Sequence, residues 1–159
     1  MCGILAVIGD YRYKEIPKAL LERGRDDNGI YQDKHVQLIQ TRLEITKCNI
    51  ELPYQTDRYV LLFNGEIYNY KQFGDNEYEA ILNVYQYGGE LDGQYAIIVY
   101  DKQTKEVTTL TDSFGIHCLY KDDYNGSRFY SSNLRSLPKI EFKEAQHRGY
   151  GNITKQRVL

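Results

Sequence analysis

A cysteine stands directly behind the initiator methionine, in MCGILAVIGD. If that methionine is removed, a step that the small second side chain favours, Cys2 carries a thiol nucleophile and a free α-amine on one residue. The amine has a reference pKa of about 7.7–8.0 and the thiol about 8.5. Part of the amine is therefore neutral near neutral pH and can take the thiol's proton, directly or through one water. Nucleophile and general base then come without a histidine. The pair suits attack on an amide carbonyl, giving a thioester and releasing ammonia or an amine. The competing reading is that Cys2 is a small buried hydrophobe, the usual fate of a free cysteine.

Amide hydrolysis also needs donors for the oxyanion. FNGEIYNY offers the side-chain amide of Asn64 and the backbone N–H of Gly65, a residue type that lets backbone approach a substrate closely. Asn-Gly between apolar runs is equally a hairpin turn, and the chain repeats the pair at Asn28-Gly29 and Asn125-Gly126. An amino-acid substrate would further need a cation for its carboxylate and an anion for its amine. Arg42, in QTRLEI, suits a bidentate grip on carboxylate, or is a solvated arginine at a strand end. Glu66 and Glu77 are acidic candidates for the amine, and Glu77 at a helix N-terminus is favourable for that reason alone.

These residues need a scaffold. Gly3 to Ile8 is an almost wholly apolar strand, buried on both faces. KEIPKALLERG predicts a short helix from about Glu15 to Arg23, with Ile16, Leu20 and Arg23 on one face. GIYQDKHVQLIQTRLEI predicts a hairpin turning at Asp33-Lys34. A second helix is predicted in DNEYEAILNVYQYGG, where Tyr78, Ile81, Leu82 and Tyr85 share a face. Asn76 caps it, Glu79 completes a capping box, and Gly88-Gly89 ends it. Further hairpins turn around Lys102 to Lys105 and around Tyr124-Asn125-Gly126, and a helical turn occupies Asn133 to Leu137. Many hairpins and few helices predict an α+β fold with antiparallel sheets.

The totals bound the answer. The 159 residues suit one domain, and 42% hydrophobic with 26% charged residues is a globular composition. No repeat or linker divides the chain, so residues 1–159 read as one domain. A net charge of −2 with scattered Lys and Arg gives no stripe for nucleic acid and no basic patch for lipid, despite 16 tyrosines that could stack on bases. Three widely spaced cysteines, Cys2, Cys48 and Cys118, form neither a disulfide framework nor a zinc pattern and point to a reducing cytoplasm. His35, His117 and His147 are not at metal-ligand spacings, so neither metal nor cofactor is expected. No apolar run approaches the roughly 20 residues needed to cross a bilayer, and no signal peptide is visible.

Taken together, the segments resemble one family: the class II glutamine amidotransferase domain, an N-terminal-nucleophile hydrolase, as found in glutamine-dependent asparagine synthetase. MCGI resembles the family's start, and RGRDDNGI its Arg-Gly-Pro-Asp-x-x-Gly stretch. TRLEIT is similar to its Arg-Leu-Ser-Ile substrate segment, NGEIYNY is near-identical, and LDGQYAIIVYD resembles its Leu-x-Gly-x-Phe-Ala strand. TDSFGIHCLY and FYSSNLRSL resemble two later strand motifs, all in the family's order. The resemblance implies a sandwich of two stacked antiparallel sheets between helical layers, one of them thin here. It implies that Cys2 is nucleophile and, through its α-amine, base, while Asn64 and Gly65 line the oxyanion hole. Arg42 would hold the glutamine carboxylate, with the backbone of Leu43, Glu44, Ile45 and Thr46 lining the pocket. Glu66 and Glu77 would meet the substrate's amine.

The departures are specific. The family has Asp where Glu77 stands, so either the pocket has adapted, Asp75 substitutes, or the preferred substrate is not glutamine. Arg25 replaces the proline of Arg-Gly-Pro-Asp, Gln40 a frequent histidine, and Asn133 a glutamate. Through Leu159 no synthetase half is expected, and YGGELDGQ lacks the serines of a pyrophosphatase loop. The expectation is a glutaminase that delivers ammonia to a separate acceptor synthetase. The alternatives are a hydrolase of another γ-glutamyl amide and a catalytically silent subunit that binds a partner enzyme.

Overall fold

The computed structural model describes residues 2–43 and 49–138, and the backbone of 154–157. Among them, alternating and continuous apolar runs pair into two five-stranded sheets, antiparallel throughout. The first sheet is built from β1 (Gly3–Ile8), β2 (Asp27–Gln32), β3 (Val36–Arg42), β8 (Tyr120–Tyr124) and β9 (Ser127–Ser131), in the order β2-β3-β1-β9-β8. The second contains β4 (Tyr54–Gln55), β5 (Tyr59–Ile67), β6 (Gly93–Asp101), β7 (Glu106–Thr111) and β10 (Thr154–Arg157), in the order β10-β7-β6-β5-β4. β1 is buried along its whole length, as its unbroken apolar sequence requires.

Three apolar layers follow from the period of two along each strand. Ile4, Ala6, Leu38, Val60, Leu62 and Ile98 fill the space between the sheets. Leu5, Val7, Ile39 and Phe129 face the other way and pack under α1 (Lys18–Leu21). Leu61, Phe63, Ile97 and Val99 pack under α2 (Glu77–Tyr87) through Tyr78, Ile81 and Leu82. The predicted α+β sandwich with flanking helices is therefore the observed fold, and the thin helical layer is the one holding the four-residue α1. No helix among the described residues is long and apolar enough to cross a membrane.

Several local expectations need correction. The first helix starts at Lys18 rather than Glu15 and ends at Leu21 rather than Arg23. Pro17 sits at ψ 130, and a residue preceding proline is pushed out of helical geometry, so Glu15 and Ile16 cannot join the helix. In α2 the Asn76 side chain accepts from Glu79 N–H at 3.0 Å as expected, but the Glu79 carboxylate reaches back to Asp75 N–H rather than Asn76. Asn28-Gly29 and Asn64-Gly65 lie inside strands, and of the three Asn-Gly pairs only Asn125-Gly126, at φ 49 and 73, forms a hairpin turn.

Candidate active site

Cys2 leads into β1, the central strand of the first sheet, and Asn64 lies on β5 of the second. Stacking the sheets brings them together: the Cys2 nitrogen donates to Asn64 Oδ1 at 3.1 Å. That contact fixes the amide's orientation and turns Nδ2 toward His117 Nδ1, 3.3 Å away. Burial holds His117 below the ordinary histidine range, so the neutral ring accepts through Nδ1 and carries its proton on Nε2. Asn64 is 1% exposed, and its orientation is set on both sides.

Burial pushes the Cys2 thiol up, partly offset by the Leu43 backbone N–H and by the cations of Arg42 and Arg23. Gly65 is next along β5, at φ +141, where a side chain is strained. A β-carbon there would meet the Gln94 carbonyl oxygen at 1.9 Å, so this position needs glycine for close backbone packing against β6.

A cavity of about 700 Å³ opens beside this corner. Of the sequence-predicted residues, Cys2, Arg42, Leu43, Asn64, Gly65, Glu66 and Glu77 all line it. Glu44, Ile45 and Thr46 lie outside the described residues. Asp75, considered as a replacement for Glu77, lines a smaller neighbouring cavity with Glu66 and Glu77 but does not line the main one. Glu77 is the first residue of α2 and accepts the Ile67 N–H at 2.7 Å. Burial raises its carboxyl above the ordinary value, Ile67 N–H opposes this, and the nearby Glu66 reinforces it.

Arg42 ends β3 with its guanidinium engaged. Nη2 donates to Asp27 Oδ2 at 2.6 Å and Nη1 to the Ile50 carbonyl at 3.1 Å. Two of the departures from the family pattern are also accommodated. Gln40 is fully buried and donates to Phe63 O and Tyr78 Oη, tying β3 to β5 and α2. Asn133 donates to Ala19 O and caps the turn at Leu134–Ser136.

The cavity residues that sequence reasoning misses include Arg23, His117 and Cys118. Arg23 was placed on a helix face; the helix ends before it, and its Nη1 donates to Ser132 O at 2.7 Å at the cavity wall. His117 and Cys118 reach the cavity on the loop after β7. Asp112 shapes that loop, with Oδ1 accepting from Phe114 and Ile116 N–H and Oδ2 from Tyr95 and His117 N–H, at 3.0–3.1 Å. The Asp-Ser-Phe-Gly-Ile-His run was the available signal, since an aspartate ahead of a glycine turn organises backbone amides. Among the described residues no three His, Cys, Asp or Glu side chains converge as a metal site.

Comparison with known proteins gives a consistent picture. The family profile described as glutamine amidotransferase domain matches residues 1–152. Asparagine synthetase B [glutamine-hydrolyzing] of Escherichia coli (strain K12) is 31% identical over 88% of this chain and 30% of its own length. Asparagine synthetase [glutamine-hydrolyzing] 1 of Bacillus subtilis (strain 168) is 27% identical over 86% of this chain and 26% of its own length. The chain thus spans less than a third of these relatives. Among solved structures, glutamine phosphoribosylpyrophosphate amidotransferase from B. subtilis superposes with a TM-score of 0.64 at 14% identity, over 99% of this chain and 49% of that one. A structure titled as the allosteric regulatory enzyme of purine biosynthesis gives 0.67 at 16% identity, over 84% and 42%. These two likenesses establish a shared fold.

Proposed function

Because this chain belongs to the glutamine amidotransferase domain family, we propose that it hydrolyses the side-chain amide of glutamine through Cys2 and supplies the ammonia to a synthetase unit. The observation that carries the reading is the 3.1 Å contact from the Cys2 nitrogen to Asn64 Oδ1, beside a cavity that also holds Arg42 and Glu77. Once Met1 is removed, that nitrogen is the α-amine. It donates to Asn64 and keeps its lone pair for the thiol proton, which burial otherwise retains on sulfur. The thiolate attacks the carboxamide carbon, and the C–S bond forms as the carbonyl becomes an oxyanion. Asn64 Nδ2, which has a second N–H beyond the one facing His117, and the Gly65 N–H are the donors proposed for it. Collapse breaks the C–N bond, the ammonium of Cys2 protonates the leaving nitrogen, and water hydrolyses the thioester to glutamate.

Arg42 would receive the α-carboxylate, Glu77 and Glu66 the α-amine, and the Leu43 to Thr46 segment the chain between them. Free thiols at Cys2 and Cys118 suit a reducing compartment, and we place the protein in the cytoplasm. The test is the intact mass of the mature protein together with ammonia release from glutamine. Loss of Met1 and an activity abolished in Cys2→Ala are expected. Release equal in wild type and Cys2→Ala, or none from either, would overturn the reading.

A further inference from the structure

The cation assigned to the substrate is already paired inside the protein. Asp27 and Arg42 are register partners on β2 and β3, and their side chains meet at 2.6 Å. Asp27 is held on its other side as well, since Oδ1 accepts the Asn28 N–H at 2.8 Å. Arg42 Nη1 is committed to the Ile50 carbonyl, while Nε is buried without a hydrogen-bond partner. The Arg42 side chain is 11% exposed and lines the cavity, whereas Asp27 is 40% exposed and reaches the cavity only through its pairing with Arg42.

From this arrangement we infer that Asp27 is a specificity-determining residue, an internal competitor that sets how tightly the cavity holds a substrate carboxylate. A carboxylate approaching Arg42 must displace Asp27 from Nη2 or accept only the donors it leaves, with a like charge alongside. A ligand carrying a neutral carboxamide at the same place does not meet that repulsion. Asp27 therefore narrows the difference in affinity between a free amino acid and its α-amide. This proposal rests on the reading of Arg42 as the carboxylate-binding residue.

The test is equilibrium binding by titration calorimetry in the Cys2→Ala background, which removes turnover. Glutamine and its α-carboxamide derivative are titrated into Cys2→Ala, Cys2→Ala/Asp27→Asn and Cys2→Ala/Asp27→Ala. Competition from a partly exposed ion pair corresponds to a change on the order of fivefold. Glutamine is expected to bind about fivefold tighter when Asp27 is neutralised, in both variants, with little gain for the α-amide. Equal or weaker glutamine binding makes Asp27 a support that positions Arg42 and overturns the proposal. So does an equal gain for both ligands, or no glutamine binding by any of the three proteins. Circular dichroism and melting of each variant separate these outcomes from loss of fold, and the alanine variant decides the case if asparagine perturbs the strand. Should wild type release no ammonia while the binding shift appears, the glutaminase reading fails and this inference stands.

Discussion

The corner around Cys2 and the wall around Arg42 and Glu77 commit their polar groups differently. At the corner, Asn64 is buried and its orientation is dictated by one contact to Cys2 from the other sheet and one to His117 from a loop. Neither contact consumes the second Nδ2 hydrogen, so a donor remains for a ligand. At the wall, Arg42 is paired with Asp27 and Ile50 O, and Glu77 with Ile67 N–H beside Glu66. The proposed bond-breaking machinery is thus preorganised by the stacking of two sheets, whereas the proposed recognition charges are occupied by local partners at strand and helix ends. Catalytic geometry tolerates little displacement, because a shift of about 1 Å can cost roughly 100-fold in rate. Charge recognition tolerates competition, because its effects are graded.

The contrast predicts its own ranking of variants. Asn64→Ala removes the proposed oxyanion donor and the anchor of the Cys2 nitrogen together. Steady-state ammonia release should show kcat reduced about 10²–10³-fold with KM little changed. A purely raised KM would place Asn64 with the recognition wall instead. Asp112→Ala tests whether the corner depends on the loop that delivers His117. Burial alone would raise the Asp112 carboxyl, but the Ile116, His117, Tyr95 and Phe114 N–H groups together hold it below the ordinary range. Losing these charge-assisted bonds should cost about 3 kcal/mol in urea unfolding at neutral pH. The sign follows from a depressed carboxylate: its stabilisation is present above the unfolded value of 3.8 and is lost as pH falls through the lower folded value. The gap between wild type and variant should therefore close in acid.

Glu77→Gln probes the wall. Glutamine keeps an oxygen for the Ile67 N–H and removes the charge. KM for glutamine should rise about tenfold with kcat less affected, as expected for a charge-assisted contact of about 1.5 kcal/mol made in ground and transition states alike. Stability should move the other way. The Glu77 carboxyl is raised by burial, so its contribution is most favourable below the unfolded value of 4.5 and declines as pH rises through the higher folded value. At neutral pH the variant should melt slightly above wild type. A variant that loses both stability and affinity would mean that the charge is structurally required.

Much of this arrangement could be read in the sequence, and the failures have physical causes. Cys2, Asn64, Gly65, Arg42, Glu66 and Glu77 converge because strand alternation and ordered hairpins leave few ways to stack the sheets. The Asp27–Arg42 pair was illegible because it depends on register. A two-residue loop at Asp33-Lys34 would place Arg25 opposite Arg42. The loop is Lys34-His35, since Asp33 Oδ1 accepts the His35 and Val36 N–H groups and Asp33 N–H pairs with Val36 O, and this brings Asp27 opposite Arg42. One position in a turn thus replaces a like-charge neighbour with an opposite one. From sequence, His117 is weighed only as a metal ligand, because no strand or helix period reports on a loop side chain whose backbone is held by an aspartate five residues before it.

His117 gives the smallest effect and the sharpest discrimination. His117→Ala leaves Asn64 anchored by Cys2 alone, so kcat should fall only about fivefold, the value of one neutral hydrogen bond. Its pH dependence distinguishes positioning from packing. The ring is held below its ordinary value by burial, with Asp112 and Glu66 opposing that shift and Arg23 reinforcing it. The neutral ring therefore predominates at pH 7, and protonation sets in at lower pH than for an ordinary histidine. Protonated Nδ1 would present a donor to the Asn64 Nδ2 donor, breaking the contact and releasing the amide from its orientation. Wild-type kcat should therefore lose an increment on the acid side that His117→Ala has already lost, so the two profiles converge as pH falls. Parallel profiles across that range would show that the ring fills space and that Cys2 alone orients the asparagine.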